Sequence, residues 1–375
     1  MSILIFVIGK YKIDSKTQMS WLRFAQKPST GYNTRRLIRF FNYFKTGRIN
    51  MRALVYGGGA VGLGLASCLL KSGSQVDIIA REETVRSLRK DGLRRTGIFG
   101  KYHAEPSKCG CYTSLDDPGI QTFDYILVCT KSFDSSGAAK DLCEHKSIFN
   151  EKTKIVLFQN GWGNAEAFTS FFDKQTVYSA RVITGFQRNK PNEVEITVHA
   201  DLIHIGSLFG ADLSAVRDLA EAINKGGIPC ETTDQIGKDI WAKMLYNCAL
   251  NPLGAVLDVP YGKLTEHESS RTIMDGIIEE VFAVMTKAGY ETHWPSVKDF
   301  LKVFYGKLVP DTAEHKSSTL QDIVAKKPTE IDALNGEVLR LAKKFNASVP
   351  YNSAVYNIIK FIEAQIIQKS NITKF

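Results

Sequence analysis

Val55-Tyr56-Gly57-Gly58-Gly59-Ala60-Val61-Gly62 is the stretch that decides the fold. An apolar run at residues 53–56 precedes its glycines, and a sequence typical of a helix continues to Leu70. A strand, a glycine turn and a helix start thus follow one another in the order of a dinucleotide-binding unit. A second candidate strand, residues 76–79, completes that unit. The alternative is a glycine-rich turn that holds no ligand.

The glycine spacing assigns a role to each part of the turn. Gly57 permits the tight bend, Gly59 lets a pyrophosphate approach bare backbone, and Gly62 lets the helix pack closely on the strand. The amino end of that helix then faces the anion. We therefore predict the following cofactor-binding residues in the turn: Gly57, Gly58, Gly59, Ala60, Val61 and Gly62.

The residue after the second strand indicates which dinucleotide binds. This strand ends at Ile78-Ile79-Ala80-Arg81, 19 residues past Gly62. NAD-binding sequences place an acid here for the ribose 2′-hydroxyl, whereas an arginine suits a 2′-phosphate. Arg81 therefore predicts NADP as the cofactor. The alternative is a solvent-facing arginine at the start of a helix predicted at residues 82–90.

Two continuous apolar runs, residues 125–129 and 155–158, predict parallel strands that are buried on both faces. Their carboxyl ends deliver Lys131 and Asn160 to the edge where open α/β sheets bind ligands. Each residue alone would be an ordinary turn residue. Because both follow corresponding strand ends, we predict that they lie near the nicotinamide half of the cofactor.

The remaining α/β elements are predicted from alternation and periodicity. They are a hairpin of residues 193–198 and 202–205, a helix at residues 213–224 and a strand at residues 228–231. Strand signals then disappear, and residues 234–367 read as helices only. The sequence therefore predicts an α/β domain followed by a helical domain.

The first helix beyond the predicted sheet carries a polar stripe. Lys243, Asn247 and Asn251 recur every four residues and share one face, next to the apolar face that contains Trp241. Pro252 is predicted to end this helix. A lysine on a helix is usually a solvated surface group. The stripe, in the first helix after a nucleotide-binding domain, favours a catalytic Lys243 instead.

Two further candidates lie closer to the C-terminus. Ser318 belongs to a run of Ser and Thr that is predicted to cap a helix. Glu330 falls in the first turn of a helix predicted at residues 329–338, which Pro328 begins. On spacing alone, both residues read as ordinary parts of helix starts.

Taken together, these segments resemble the ketopantoate reductase (2-dehydropantoate 2-reductase) family from Met51 almost to the C-terminus. The motifs are the glycine turn with Arg81, Cys129-Thr130-Lys131, Gln159-Asn160-Gly161, Trp241-x-Lys243-x-x-x-Asn247-x-x-x-Asn251-Pro252-Leu253, and Ser318 through Glu330 to Asn335-Gly336. The resemblance implies a Rossmann NADP-binding domain of residues 51–232. It also implies an all-helical substrate-binding and catalytic domain of residues 233–375, of the 6-phosphogluconate dehydrogenase C-terminal type.

The resemblance implies NADPH-dependent reduction of ketopantoate to pantoate, on the route to pantothenate and coenzyme A. Lys243 would be the general acid, Glu330 would assist it and hold the substrate hydroxyl, and Ser318 would bind the substrate carboxylate. A positioned ammonium suits this reaction because hydride transfer to a ketone leaves an alkoxide. The other implied contacts are Asn247 and Asn251 with the substrate, and Lys131 and Asn160 with the nicotinamide ribose.

The chain departs from the family pattern in two places. Asp134 replaces a glutamine that often lies near the adenine, and Ala200-Asp201-Leu202 replaces a glycine-rich stretch. Two other functions therefore stay open, namely a reductase of another small 2-keto acid and a protein that senses NADPH without turnover. The set of Lys243, Ser318 and Glu330 argues against the sensor, which needs neither an acid nor a carboxylate site.

The net charge of +9 belongs entirely to the first fifty residues, which hold ten Lys and Arg and one Asp. The remaining chain is formally neutral, which argues against a basic face for nucleic acid. Residues 1–50 are predicted to be an N-terminal extension. They read as a mitochondrial presequence, a disordered tail, or upstream sequence that the working protein does not retain.

Composition also bears on other sites and partners. Seven scattered cysteines match neither a disulfide framework nor a metal site, because Cys109-x-Cys111 lacks a second pair. They are predicted to be reduced thiols of a cytoplasmic or mitochondrial protein. The longest apolar run near the start, residues 3–8, is too short to span a bilayer. We predict a small-molecule substrate, no metal, and a monomer or homodimer.

Overall fold

Strands and helices are interspersed through residues 52–232, and only helices follow in the described part of the chain. The computed structural model describes residues 51–117 and 119–372, with side chains through residue 366. The strands are β1 (Arg52–Tyr56), β2 (Gln75–Ile79), β3 (Leu93–Gly97), β4 (Tyr102–Ala104), β5 (Cys109–Tyr112), β6 (Phe123–Val128), β7 (Phe149–Leu157), β8 (Val177–Arg181), β9 (Thr184–Lys190), β10 (Glu193–His199), β11 (Ile203–Gly206) and β12 (Cys230–Thr232). The helices are α1 (Ala60–Ser72), α2 (Glu82–Asp91), α3 (Ser135–Glu144), α4 (Asn164–Thr169), α5 (Arg217–Gly226), α6 (Ile236–Leu257), α7 (Glu268–Lys287), α8 (Val297–Val303), α9 (Ser318–Val324), α10 (Asn335–Lys344) and α11 (Pro350–Ile372).

The strand that leads into the glycine turn lies inside an eight-stranded sheet of order β12-β11-β8-β7-β6-β1-β2-β5. β1 pairs in parallel with β2 on one side and with β6 on the other, while β11 runs antiparallel to β8. Ala53, Leu54 and Val55 are fully buried, as expected for a strand that is covered on both faces. The predicted fold class, an α/β domain followed by a helical domain, is confirmed.

Parallel pairing brings the carboxyl ends of β1, β6 and β7 to one edge of this sheet. The glycine turn follows β1, Lys131 follows β6 and Asn160 follows β7. Gln159 ties two of these ends together, because its Nε2 donates to Ser135 Oγ at 2.8 Å and to the Lys131 carbonyl oxygen at 3.2 Å. Hydrogen bonds therefore join the segments that follow β6 and β7, and these segments carry residues of separate sequence motifs.

A second sheet, of order β4-β3-β10-β9, packs on α1. The predicted hairpin of residues 193–198 and 202–205 is wrong, because its two segments belong to different sheets. β10 pairs with β9, whereas β11 pairs with β8 and β12. The physical reason is a two-residue turn of Pro191 and Asn192, which joins β9 directly to β10. Both residue types favour turns, and the short connection gives β10 its nearest partner.

The helix α6 runs past Pro252 to Leu257, although the sequence predicts that Pro252 ends it. Proline lacks the N–H that would bind the carbonyl of Cys248, one turn earlier. Asn335 supplies that donor, because its Nδ2 donates to the Cys248 carbonyl oxygen at 3.1 Å. An unsatisfied carbonyl at this fully buried position would be costly. A side chain from α10 therefore allows the helix to continue.

The helix predicted at residues 329–338 also begins elsewhere. Pro328 does not start it, and α10 begins only at Asn335. Thr329 is held outside a helix because its backbone N–H and its Oγ1 both donate to Glu363 Oε1 at 2.7 Å. The helix predicted from Leu213 likewise opens with a 3-10 turn, Leu213–Val216, before α5. A contact distant in sequence thus accompanies the later start of α10.

The predictions for residues 1–50 lie outside the described residues. Within the part of the chain that is described, no helix is both long enough and apolar enough to cross a membrane.

We expect alanine at Gly62 to destabilise the protein more than alanine at Gly59. A Cβ at Gly62 would lie 2.0 Å from the Gly57 carbonyl oxygen, whereas at Gly59 it would meet nothing within 4 Å. Overpacking against rigid backbone falls at the upper end of about 1–3 kcal/mol. Gly59 is the N-cap of α1, where alanine costs at most about 1 kcal/mol relative to glycine. Urea unfolding followed by circular dichroism measures both variants, and equal midpoints would contradict the packing argument.

Candidate active site

Lys243 of α6 reaches the carboxyl edge of the large sheet. Its Nζ donates to Asn160 Oδ1 at 2.7 Å and to the Val182 carbonyl oxygen at 2.5 Å. Asn160 follows β7 and Val182 follows β8, and these two strands are neighbours. The structure therefore joins the first helix of the helical domain to two adjacent strand ends of the α/β domain.

The surroundings of Lys243 make its ammonium unusually acidic. Burial lowers the pKa of Lys243 to about 8, because desolvation disfavours the charged form. The Glu330 carboxylate opposes this shift, and the Arg181 guanidinium adds to it. A lysine with a pKa near neutrality can both give up a proton and regain it at ordinary pH.

Glu330 is a buried carboxylate that the loops after β6 and β7 hold in place. Its Oε1 accepts from the Ser132 backbone N–H at 3.0 Å. Its Oε2 accepts from Asn160 Nδ2 at 3.1 Å and from Lys131 Nζ at 3.4 Å. Asn160 thus contacts both Lys243 and Glu330, with its oxygen towards the ammonium and its nitrogen towards the carboxylate. These opposite partners define the orientation of the amide.

Lys131 binds a second carboxylate, that of Asp322 in α9, at a distance of 2.7 Å from Nζ to Oδ2. Burial alone would lower the pKa of Lys131, but Glu330 and Asp322 outweigh it and raise the pKa. Burial raises the pKa of Asp322, and Lys131 opposes that shift. No sequence motif assigns Asp322 a role. Its four-residue spacing from Ser318, which places both on one face of α9, is the signal that points to it.

A small cavity lies beside Lys243, and Asn160, Asn247 and Arg181 contribute to its lining. Asn251 lies one turn further along α6, where it is buried and its Oδ1 accepts from the Tyr261 hydroxyl. The described residues contain no group of three or more His, Cys, Asp or Glu that could hold a metal ion. The polar stripe of α6 thus begins in the cavity and continues into the protein interior.

Ser318 stands apart from this cluster. It is the first residue of α9 and follows Ser317, whose Oγ accepts from the Leu320 backbone N–H at 3.0 Å. Within the described ranges, Ser318 has no hydrogen bond with Lys243 or Glu330. The structure joins Lys131, Asn160, Lys243 and Glu330 in one hydrogen-bonded cluster, places Asn247 beside it, and leaves Asn251 and Ser318 outside it.

Arg181 is a buried cation that no sequence motif singles out. Its Nη2 donates to Asp201 Oδ2 at 2.9 Å and lies 4.0 Å from Asp239 Oδ1. Its Nη1 is buried and has no partner in the described part of the chain. The departure Ala200-Asp201-Leu202 thus supplies the carboxylate for an arginine that lines the cavity. A segment that differs from the family pattern therefore contacts a residue of the candidate site.

The glycine turn is shaped to admit an anion. Gly57 has a φ of +117°, and its N–H donates to the Ile79 carbonyl oxygen at 3.0 Å, which ties the turn to the end of β2. The backbone of Gly59 faces open space at the amino end of α1. These features fit the pyrophosphate of a dinucleotide. Arg81 is exposed at the N-cap of α2, two residues after the end of β2.

The chain is similar in sequence to known reductases. The family model described as "Ketopantoate reductase PanE/ApbA" matches residues 53–210, and the one described as "Ketopantoate reductase PanE/ApbA C terminal" matches residues 235–363. A 2-dehydropantoate 2-reductase of Aquifex aeolicus is 35% identical over 83% of this chain and 96% of its own length. Another, of Shigella flexneri, is 30% identical over 84% of this chain and 96% of its own length.

Solved structures share the fold. A PanE/ApbA family ketopantoate reductase of Ralstonia eutropha has a TM-score of 0.72 and 27% identity, and the match covers 84% of this chain and 99% of that one. D-mandelate dehydrogenase, solved with NADH and anilino(oxo)acetate, has a TM-score of 0.75 and 22% identity, over 84% of this chain and 99% of its own. At that identity, the second likeness concerns the fold alone.

We expect the side-chain amine of Lys243 to titrate near pH 8. The ammonium predominates below that pH and the neutral amine above it, because burial disfavours the charge. NMR of protein labelled with 13C-lysine follows each Cε signal, and Lys243→Arg identifies the signal of Lys243. Glu330→Gln should lower the midpoint further, since the carboxylate favours the ammonium.

Lys131 serves as an internal comparison in the same titration, because the carboxylates of Glu330 and Asp322 raise its pKa. A midpoint for Lys243 above about 10, as in an ordinary lysine, would show that burial does not govern its charge.

Proposed function

The chain belongs to the ketopantoate reductase family, and from that premise we propose that it reduces 2-dehydropantoate to pantoate with NADPH, in pantothenate and coenzyme A biosynthesis. One observation carries the proposal. Lys243, whose pKa is lowered to about 8, lies at the sheet edge that bears the glycine turn and is linked through Asn160 to Glu330. An acid and a carboxylate beside a dinucleotide-binding turn suit the reduction of a ketone.

When bound, NADPH would supply a hydride to the ketone carbon, so that negative charge develops on the ketone oxygen. The Lys243 ammonium has three protons, of which Asn160 and Val182 accept two. The third has no acceptor among the described residues and can reach a ketone oxygen in the cavity. Lys243 then transfers a proton from Nζ as the hydroxyl forms. Its two acceptors are neutral, so they orient the ammonium without neutralising it.

We assign Glu330 two tasks in this reaction. Its charge raises the pKa of Lys243 against the effect of burial, which keeps the ammonium protonated at neutral pH. Its carboxylate also binds the hydroxyl of the product. Hydrogen bonds from Ser132, Asn160 and Lys131 support both tasks, because they hold the carboxylate in one place.

We propose that Asn247, Asn251 and Ser318 bind the rest of the substrate. Asn247 lines the cavity beside Lys243, and Asn251 lies one turn further along α6. Ser318 begins α9, which packs on α6, and it would bind the substrate carboxylate. In this arrangement the ketone faces Lys243 and the carboxylate points towards α9.

We further propose that residues 51–232 are the NADP-binding domain and residues 233–375 the substrate-binding and catalytic domain. The open backbone at Gly59 supports a pyrophosphate in the turn at residues 57–62. Arg81 would bind the 2′-phosphate, so that NADPH is preferred to NADH. Lys131 and Asn160 would lie beside the nicotinamide ribose.

A reductase of another small 2-keto acid is the second candidate. Arg181 supports this candidate, because this buried cation lines the cavity. Its partner Asp201 belongs to the segment that departs from the family pattern. A protein that senses NADPH without turnover is less well supported, since it has no use for an acidic lysine bonded to Asn160. For either reductase, we propose a monomer or a homodimer.

We expect the protein to oxidise NADPH in preference to NADH, with 2-dehydropantoate as the best substrate in a panel of 2-keto acids. The absorbance of the reduced nicotinamide gives kcat/KM for each pair of cofactor and keto acid. A higher kcat/KM with another keto acid would replace the proposed substrate. The absence of oxidation with every member of the panel would favour the sensor.

We expect Lys243→Ala and Ser318→Ala to affect different kinetic constants. Loss of the general acid should lower kcat by about 10²–10⁴ while NADPH binding stays near normal. Ser318→Ala should mainly raise KM, roughly tenfold, because the carboxylate is bound similarly before and during hydride transfer. Glu330→Ala should impair both constants. A wild-type kcat for Lys243→Ala at saturating 2-dehydropantoate would remove the lysine from the mechanism.

A further inference from the structure

Arg188 lies against the glycine turn although it belongs to the small sheet. Its Nη1 donates to the Gly58 carbonyl oxygen at 3.3 Å and to Thr84 Oγ1 at 3.4 Å. β9 reaches this place because the small sheet packs on α1, where an added Cβ at Gly64 would lie 2.3 Å from the Phe186 ring. The fold thus brings a cation to the turn from a strand 130 residues further along the chain.

Three segments of the α/β domain meet at Gly58. An added Cβ there would lie 2.5 Å from the Ala80 Cβ and 3.2 Å from the Thr84 Cγ2. Ala80 immediately precedes Arg81 at the end of β2, and Thr84 lies in the first turn of α2. Arg188 therefore contacts the glycine turn at the point where the turn packs against the end of β2. Arg81 follows this end of β2.

Arg81 and Arg188 both carry a positive charge that no described acidic side chain pairs with. Neither forms an ion pair within residues 51–117 and 119–366, and both are exposed. Glu82, the acid next to Arg81 in sequence, pairs instead with Arg86. The two acceptors of Arg188 are neutral oxygens, at distances longer than the usual N–H···O bond. A guanidinium has five N–H donors, so most of the capacity of Arg188 remains available.

We propose that Arg188, together with Arg81, binds the ribose 2′-phosphate of NADP and contributes to the preference for NADPH. This rests on the proposed function, in which NADP is the cofactor. A phosphate dianion is bound better by two guanidinium groups than by one, since each forms charge-assisted and often bidentate hydrogen bonds. Such bonds are shorter and stronger than those of Arg188 with Gly58 and Thr84, so Arg188 gains by exchanging them.

The position of Arg188 distinguishes the 2′-phosphate from the pyrophosphate. The pyrophosphate belongs at the amino end of α1, where the backbone of Gly59 faces open space. The ribose hydroxyls belong at the end of β2, where NAD-binding sequences carry an acid. Arg188 contacts Gly58 and Thr84, which adjoin the end of β2. It therefore serves the ribose side of the cofactor.

Binding titrations test this assignment without any need for turnover. NADPH and NADH are titrated by nicotinamide fluorescence into the full chain, and 2′,5′-ADP and 5′-AMP are titrated in competition. Each pair differs only in the 2′-phosphate. Arg188→Ala should weaken NADPH and 2′,5′-ADP roughly ten- to a hundredfold and change NADH and 5′-AMP by less than about threefold. Arg188→Lys should recover part of the loss.

Two variants serve as references. Lys190→Ala removes a cation from the same strand, but this lysine pairs with Glu193, so all four affinities should stay unchanged. Arg81→Ala should weaken the same two ligands as Arg188→Ala. The double variant should bind NADPH no better than NADH, because the two arginines share one phosphate. Thermal unfolding of each variant confirms that the fold is retained.

The outcomes separate this inference from the proposed function. Equal losses for all four ligands would place Arg188 at the adenosine 5′-phosphate that they share and overturn the inference. A wild-type preference for NADPH that survives Arg188→Ala would overturn it as well, while leaving NADP as the cofactor. Equal affinity of the wild-type protein for NADPH and NADH would overturn the proposed cofactor itself, and the inference with it.

Discussion

A carboxylate is stable in a protein interior only where donors surround it, and Glu330 meets this requirement with groups from the sheet edge. Its donors Ser132, Asn160 and Lys131 all belong to the loops that follow β6 and β7. These hydrogen bonds favour the observed position of the helical domain on this edge, because a shift would separate the Glu330 carboxylate from its donors. The same position brings Lys243 to Asn160. The contacts that pair the buried Glu330 carboxylate thus also place the Lys243 ammonium at the sheet edge.

The short segment around Glu330 supports this position in two further ways. Ala333 accepts from the Trp162 backbone N–H at 3.0 Å, and only a glycine at position 161 leaves room for it, since an added Cβ there would lie 2.3 Å from the Ala333 carbonyl oxygen. Asn335 then satisfies the carbonyl that Pro252 leaves free in α6. One segment thus carries a site residue, docks on the sheet and supports the helix that bears Lys243.

The two lysines of the site show how surroundings separate residues of one type. Lys131 faces the carboxylates of Asp322 and Glu330, which raise its pKa, so its charge is permanent at ordinary pH. Lys243 has neutral oxygens as its direct partners, and burial lowers its pKa to about 8. Lys131 is therefore suited to electrostatic binding and Lys243 to proton transfer.

The sequence by itself determined the α/β class, the glycine turn and the helical second half, because apolar periodicity and glycine spacing are local properties of a chain. It also indicated Lys131, Asn160, Lys243 and Glu330, although in separate motifs. Only the tertiary structure decided that Asn160 joins Lys243 to Glu330, that β11 pairs with β8 and β12, and that α6 continues past Pro252. It alone placed Arg181 at the cavity and Arg188 at the glycine turn. Each of these depends on a partner distant in sequence, and local patterns contain no information about which distant group will supply a hydrogen bond or a charge.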